Sequence, residues 1–378
     1  MSEAPGIEFI GMIQPREQSE THPPSGPAID LGYLRASAQA HDAQAKEGGG
    51  FDRILVGWYS SGPDGFQLAT HAAAHTERVG FLVAHRPGFQ APTVAARAFA
   101  TLDQLSGGRA AIHVISGGDD QDQARDGDHL GKDERYARTD EYVGILKQIW
   151  GADQPVSHKG TYYAFEGASP AVRTVQRPRI PIYFGGASDA AIEVAGRHAD
   201  VYALWGETQA QVREIVARVR ASTARHRGTE AARHLRFSLS FRPILAATES
   251  LAWEKAERIL DTIRRVRGQA WLGPATGAPQ NAGSQRLLDA AALGDRPEGR
   301  LYTAIARETG ARGNTTALVG TPQQVAEAFL DYRALGVTTF LIRGFDPLED
   351  AADYGRTLLP LTRRLAAERA AQPTLAAE

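Results

Sequence analysis

Pro181-Ile182-Tyr183-Phe184-Gly185-Gly186-Ala187-Ser188-Asp189 reads as an apolar strand that breaks into small residues and runs directly into the helical stretch Ala190 to Ala195. A strand, a small-residue turn and a helix N-terminus in this order form an anion site. The glycines let the backbone come close, Ser188 offers a hydroxyl, and the first free N–H groups of the helix point at the guest. The same grammar recurs upstream, where the apolar run Ala110 to Ile115 ends in Ser116-Gly117-Gly118-Asp119-Asp120. Two such loops can close on one phosphorylated cofactor, although each alone is equally the plain strand-to-helix turn of any α/β protein. Neither is a dinucleotide fingerprint or a P-loop, since no G-x-G-x-x-G opens a helix and no Gly-Lys-Ser/Thr follows a Gly-rich turn.

Working outward, apolar runs alternate with amphipathic ones along the whole chain, the pattern of parallel βα units. Strands are expected at Ile7 to Ile13, Arg53 to Val56, Val79 to Val83, Ala110 to Ile115, Ile182 to Phe184, Val201 to Leu204, Phe237 to Leu245 and Thr338 to Ile342. Helices such as Tyr33 to Lys46, Thr93 to Leu105, Glu134 to Trp150, Gln209 to Arg225, Leu251 to Arg267 and Pro322 to Leu335 lie between them. The order predicts an α/β fold, a (β/α)₈ TIM barrel forming a single domain over residues 1–378. A doubly wound open sheet is the alternative, because periodicity does not show closure. In the barrel, both candidate phosphate loops sit at the C-terminal ends of strands four and five, the face where barrels build their sites.

The connection from Ala246 to Val337 is too long for one helix and holds an insertion at about 269–315. Its middle, Gly273 to Gly283, is rich in Gly, Pro and small residues, as is Gly310 to Asn314, and reads as a lid over the barrel mouth or as a surface excursion. The acidic loop Asp119 to Lys132 lacks the spacing of a calcium loop and reads as solvated, so no metal site is expected.

Composition narrows the function. With 42 Lys and Arg against 44 Asp and Glu among 378 residues, the formal charge of -2 argues against nucleic-acid or membrane partners and for a small molecule. The absence of cysteine excludes disulfides, thiolate zinc sites, iron–sulfur clusters and cysteine nucleophiles, and leaves the redox compartment open. Met1 to Gln14 has no basic n-region followed by a long apolar stretch, and the expected location is cytoplasmic.

A set of ordered motifs then resembles a known family over nearly the full length: Phe81-Leu82-Val83-Ala84-His85-Arg86-Pro87, Ala91-Pro92-Thr93-Val94-Ala95-Ala96-Arg97, Thr101 to Arg109, Asp133-Glu134-Arg135-Tyr136, Tyr183 to Asp189, Trp205-Gly206-Glu207 and Thr316-Ala317-Leu318-Val319-Gly320. The chain resembles the FMNH2-dependent alkanesulfonate monooxygenases, a branch of the bacterial luciferase-like flavin monooxygenase superfamily. The resemblance implies a TIM barrel with an insertion after strand seven. It also implies FMN, used as FMNH2 supplied by a separate NAD(P)H-dependent FMN reductase, and O2 as co-substrate. The implied reaction hydroxylates the carbon bearing a sulfonate, which collapses to an aldehyde and sulfite. Dimers or tetramers are expected on the same ground.

By this resemblance Ser116, Tyr136, Gly186, Ala187 and Ser188 hold the FMN phosphate with Arg135 nearby, and the strand-three end Ala84-His85 approaches the isoalloxazine ring. A packed core histidine is the other reading of His85. The substrate pocket departs from the family pattern. An Arg-x-His pair on strand seven is matched by Ser240 and Arg242, a histidine at the end of strand one by Gln14, and a cysteine after strand two by Gly62. Arg312 matches the lid arginine, and Trp205 the family tryptophan. Arg242 and Arg312 are therefore expected to grip the sulfonate, with Trp205 walling the pocket. Arg343 is a third candidate, or else a partner of Glu349 or Asp350. The polar set Gln14, Ser60, Ser61 and Ser240 suits a hydroxylated organosulfonate such as sulfoquinovose as well as a plain alkanesulfonate. Rival readings are a related flavin or deazaflavin enzyme acting on a non-sulfonate substrate, and a flavin-binding protein without turnover.

Overall fold

The computed structural model describes residues 6–43, 50–266, 279–313 and 315–371. Its strands are, in chain order, β1 (Glu8–Ile13), β2 (Arg53–Val56), β3 (Gly80–His85), β4 (Ala110–Val114), β5 (Val156–Lys159), β6 (Ala164–Ala168), β7 (Ile182–Gly185), β8 (Val201–Trp205), β9 (Arg236–Leu245), β10 (Leu301–Tyr302), β11 (Ala317–Gly320) and β12 (Val337–Ile342). Parallel pairing runs β1–β2–β3–β4–β7–β8–β9–β12 and returns from β12 to β1, so the sheet is a closed eight-stranded barrel and not an open one. Each expected strand is found to within a residue or two. The antiparallel hairpin β5–β6 was not expected, its strands being short and mostly polar.

Strand parity separates two apolar layers. Ile10, Leu82, Ala111, Tyr183 and Val201 face the axis, with Leu55 and Leu341 packed against them, and fill the lower barrel. Phe9, Phe81, Val83, Ile112, Ile182, Phe184 and Phe237 face outward into the layer shared with the helices. Below the inner layer, the partly buried Glu8 carboxylate accepts from Tyr183 Oη at 2.8 Å and Thr339 Oγ1 at 3.0 Å and pairs with Arg53 at 2.9 Å. This closes the N-terminal end, leaving the C-terminal end to carry the site.

β9 has two halves. Phe237 to Phe241 pair with β12 inside the barrel, whereas Arg242 to Leu245 leave it and pair with β11, which pairs in turn with β10. This small outer sheet packs on the helix Glu249–Val266 through Ile244, Ala256, Leu260 and Val319. The described part of the insertion is more helical than its composition suggested. Asn281 caps the helix Ala282–Ala292 by accepting from Ser284 N at 2.7 Å, and a second helix spans Ala304–Thr309. Leu287, Ala306 and Ala311 pack with Trp205, docking these helices on the barrel mouth. The Gly/Pro-rich stretch Gly273 to Ala278 lies outside the described residues.

Candidate active site

A cavity of about 400 Å³ opens at the C-terminal end of the barrel. Its walls come from the inward positions of nearly every barrel strand, and its roof from Asn281, Ala282 and Gly283 of the insertion.

The two glycine loops meet on one side of it. Ser116, Gly117 and Gly118 follow β4, Gly186, Ala187 and Ser188 follow β7, and Tyr136 and Lys132 reach in from the helix Lys132–Gly151; all line the cavity. Ser188 caps the helix Asp189–His198 by accepting from Ala191 N at 3.3 Å and hydrogen-bonds Tyr136. Ser116 is held by Thr139 Oγ1 at 3.0 Å. Gly186 has φ +135°, and a Cβ there would lie 2.9 Å from Tyr136 Oη, so backbone and phenol leave room only for a side-chain-free residue. Helix amides, two hydroxyls, a phenol and a lysine form a donor set suited to a phosphate. Burial pushes the Tyr136 phenol up, the Ser188 bond opposing it, so it stays a donor at neutral pH. Ser188→Ala is expected to weaken FMN binding roughly three- to tenfold and to cost about 1 kcal/mol of stability through the lost cap. Flavin titration and urea denaturation of the same protein check both halves.

Deeper in, Ala84, Gly185 and Ala203 present small faces beside Trp58, Trp205 and Tyr183, a shape that admits a flat ring system. Trp205 lies under the insertion: a Cβ on Gly283 would sit 3.3 Å from its ring.

Other expected residues lie elsewhere. His85 follows Ala84, so strand parity turns it outward; it is 1% exposed, packs against Phe66, Phe99 and Tyr142, and shares a 2.7 Å hydrogen bond with Tyr142 Oη. Its side chain does not line the cavity, whereas Ala84 does; burial lowers its pKa to about 4, as for a packed histidine. Arg135 turns away to Leu130 O at 2.6 Å and Asp120 at 2.8 Å. Gln14 is buried beside the cavity and accepts from Gln18 at 3.0 Å without lining it. Arg312 is half-buried next to Gly313, which does line it.

Arg242 lies away from the cavity that sequence expected it to line. By parity it faces the same side as Ser238 and Ser240, but β9 has left the barrel by then and the segment after β1 covers it. The side chain is fully buried. It donates to Glu20 Oε2 at 2.7 Å and to Gly344 O at 2.7 Å, and stacks 3.7 Å above the Phe345 ring. Arg343 at the end of β12 donates to the other carboxylate oxygen of Glu20 at 2.7 Å and does line the cavity. The carboxylate it is seen to pair with is thus Glu20. The two guanidiniums hold Glu20 down at a pKa of about 2 against the upward push of burial. Burial, with Arg343 adding repulsion, lowers Arg242 to about 10.

Acidic residues of the loop after β4 are also paired. Asp122 binds Arg86 at 2.5 Å and accepts from Ser60, Asp120 binds Arg135, and Asp128 binds Arg138 at 2.5 Å. Arg86 lines the cavity, as do Tyr59 and His113, none of which had been assigned a role there. Alternation carried the signal for His113, two residues beyond the inward Ala111.

The match to known proteins fits this geometry. A family profile described as luciferase-like monooxygenase matches residues 7–339. The chain belongs to that family. Its members are flavin-dependent enzymes, and this luciferase-like chain is accordingly a flavin-dependent monooxygenase by class. Among solved structures it is similar to a riboflavin lyase crystallised with modified FMN and riboflavin, at 19% identity, 96% coverage of this chain, 92% of that one and a TM-score of 0.76. It is also similar to the EDTA monooxygenase of a Chelativorans species (18% identity, 96% and 95% coverage, TM-score 0.70). DmoA of Hyphomicrobium sulfonivorans is a third (20% identity, 96% and 88% coverage, TM-score 0.70). At these identities the likenesses speak for the fold. No helix among the described residues is long and apolar enough to cross a membrane.

Proposed function

We propose that this luciferase-like enzyme is the oxygenase half of a two-component system that takes FMNH2 from a separate reductase and, with O2, desulfonates a small organosulfonate to a carbonyl product and sulfite. The observation that carries this reading is the distribution of positive groups around one cavity. The phosphate cradle sits where β4 meets β7, and Arg343 sits at the end of β12, which the strand order puts on the opposite side of the mouth. A phosphorylated cofactor anchored at the first end leaves the second for an anionic substrate.

Ser116, Tyr136, Gly186, Ala187, Ser188 and Lys132 would hold the phosphate, with the small-residue floor beneath the ring. Bound reduced flavin supplies the electrons that activate O2. Arg343, fixed by Glu20, would orient the sulfonate through a fork of N–H donors. Ser238 and Ser240 on the adjoining strand face the same cavity, and of the hydroxyl set expected from sequence Ser240 is the one that reaches it. Two hydroxyls near an arginine favour a hydroxylated sulfonate such as sulfoquinovose. The insertion residues Asn281 to Gly283 exclude water over the reacting centre. The test is sulfite release from methanesulfonate, longer alkanesulfonates, taurine and sulfoquinovose, with reduced FMN and air. Sulfite above the enzyme-free background from one member is expected. Binding of reduced FMN without sulfite from any member would move the reaction to another substrate class.

A further inference from the structure

We propose that His113 donates its Nε2–H to the carbonyl edge of the bound flavin ring and so seats the ring in the barrel. The inference rests on the flavin reading of the cavity and concerns a residue with no role so far. On β4, Ala111 faces the axis, and His113 and Ile115 continue that face into the cavity wall. Ser116, in the phosphate cradle, lies three residues further along, beyond the end of β4 at Val114; at about 3.3 Å per residue of extended chain, His113 sits at most about 10 Å below it. A cofactor tethered by its phosphate and reaching into the barrel passes this depth.

The imidazole's orientation decides what it offers. Its Cε1 and Nε2 atoms lie 3.4 and 3.5 Å from where a Cβ of Gly185 would be, and Gly185 also lines the cavity. The other nitrogen, Nδ1, is sealed from solvent and has no hydrogen-bond partner among the described residues. A buried N–H with nothing to accept it is rarer and costlier than an unmatched lone pair, so the ring proton belongs on Nε2. Burial alone lowers the group to a pKa of about 4, and the ring at neutral pH carries that single proton. The cavity therefore meets a donor, and the flavin ring's carbonyl oxygens are acceptors with no donor yet supplied by the cradle. A donor at a carbonyl favours the more electron-rich reduced ring, which also gives a direction for the potential.

Histidine-labelled protein at neutral pH, with the His113 signals identified by their loss in His113→Asn, is expected to show an unprotonated Nδ1 and a protonated Nε2 by nitrogen-15 NMR. Added FMN should shift that Nε2–H. In titrations with oxidised and with dithionite-reduced FMN, His113→Leu should bind roughly three- to tenfold more weakly and hold the flavin at a lower potential. His113→Asn, which keeps a donor, should stay within about twofold of the parent. A proton on Nδ1, or a His113→Leu affinity and potential equal to the parent's, overturns the proposal while the flavin reading stands. Failure of the parent protein to bind FMN in either redox state overturns both.

Discussion

Glu20→Gln is expected to lower the stability of the folded chain by about 3–5 kcal/mol, the range for breaking a buried ion pair from one side. Glu20 is 2% exposed, and its carboxylate is shared by Arg242 and Arg343, one on each oxygen at 2.7 Å. The glutamine keeps shape but removes the charge, leaving two guanidiniums to repel one another, with Arg242 fully buried and Arg343 reaching water only along the cavity wall. The cover cannot easily open to admit solvent, because Ser19 Oγ and Thr21 Oγ1 tie the same segment to Phe345 O at 2.7 and 2.9 Å. Urea denaturation at pH 7 measures the loss, and a change below about 1 kcal/mol would show that the cluster relaxes by a route the packing does not suggest. Acid provides an independent check. The carboxyl's folded-state pKa, about 2, lies below the 4.5 of an unperturbed glutamate. Its contribution, about 3 kcal/mol by linkage, is complete above pH 4.5 and disappears as pH falls through 2. The stability gap between parent and Glu20→Gln should therefore narrow across that window. Combining Glu20→Gln with Arg242→Met should recover much of the loss, since an apolar replacement removes the charge that the glutamine stranded.

This cluster also shows where the sequence stopped being readable. Barrel strands and the two glycine loops that meet at the cavity are local: each strand is a short apolar run, each loop a cluster of Gly and Ser after one, and their positions were legible from their own residues. Arg242 was placed on the right face, but Glu20 lies 222 positions away, and nothing local announces that a carboxylate will come down on it. Arg343 differs, since Leu341 faces inward and parity carries Arg343 to the cavity two residues later. His85 and His113 were readable by the same rule: an inward Ala84 forces His85 outward, and an inward Ala111 brings His113 in. In the insertion, glycine and proline content hid the helix Ala282–Ala292, which Asn281 caps and which packs with Trp205 across the mouth through Leu287.

Gly186→Ala is expected to weaken FMN binding by roughly a hundredfold, about 2.8 kcal/mol at 1.4 kcal/mol per decade. Two costs add. At φ +135° a residue with a Cβ is strained, worth about 1–3 kcal/mol. The new methyl would also stand 2.8 Å from the Ala191 Cβ and 2.9 Å from Tyr136 Oη. Ala191 cannot yield cheaply, being buried in the first turn of a helix whose cap is Ser188. Nor can the Gly186 carbonyl rotate freely, because Tyr202 Oη donates to it. The strain is thus relieved by pushing out Tyr136 or by turning the loop, and either opens the cradle where the phosphate would be gripped. Gly167 supplies the control: it too has positive φ, +61°, but a Cβ there meets nothing within 4 Å among the described residues. Gly167→Ala should lose stability of the same backbone origin, about 1 kcal/mol, and bind FMN as the parent does. Quenching of FMN fluorescence, run beside thermal melts of both variants, separates the two effects. If Gly186→Ala binds FMN within about threefold of the parent while its melting temperature falls, the loop after β7 is a structural turn and the phosphate must be held elsewhere.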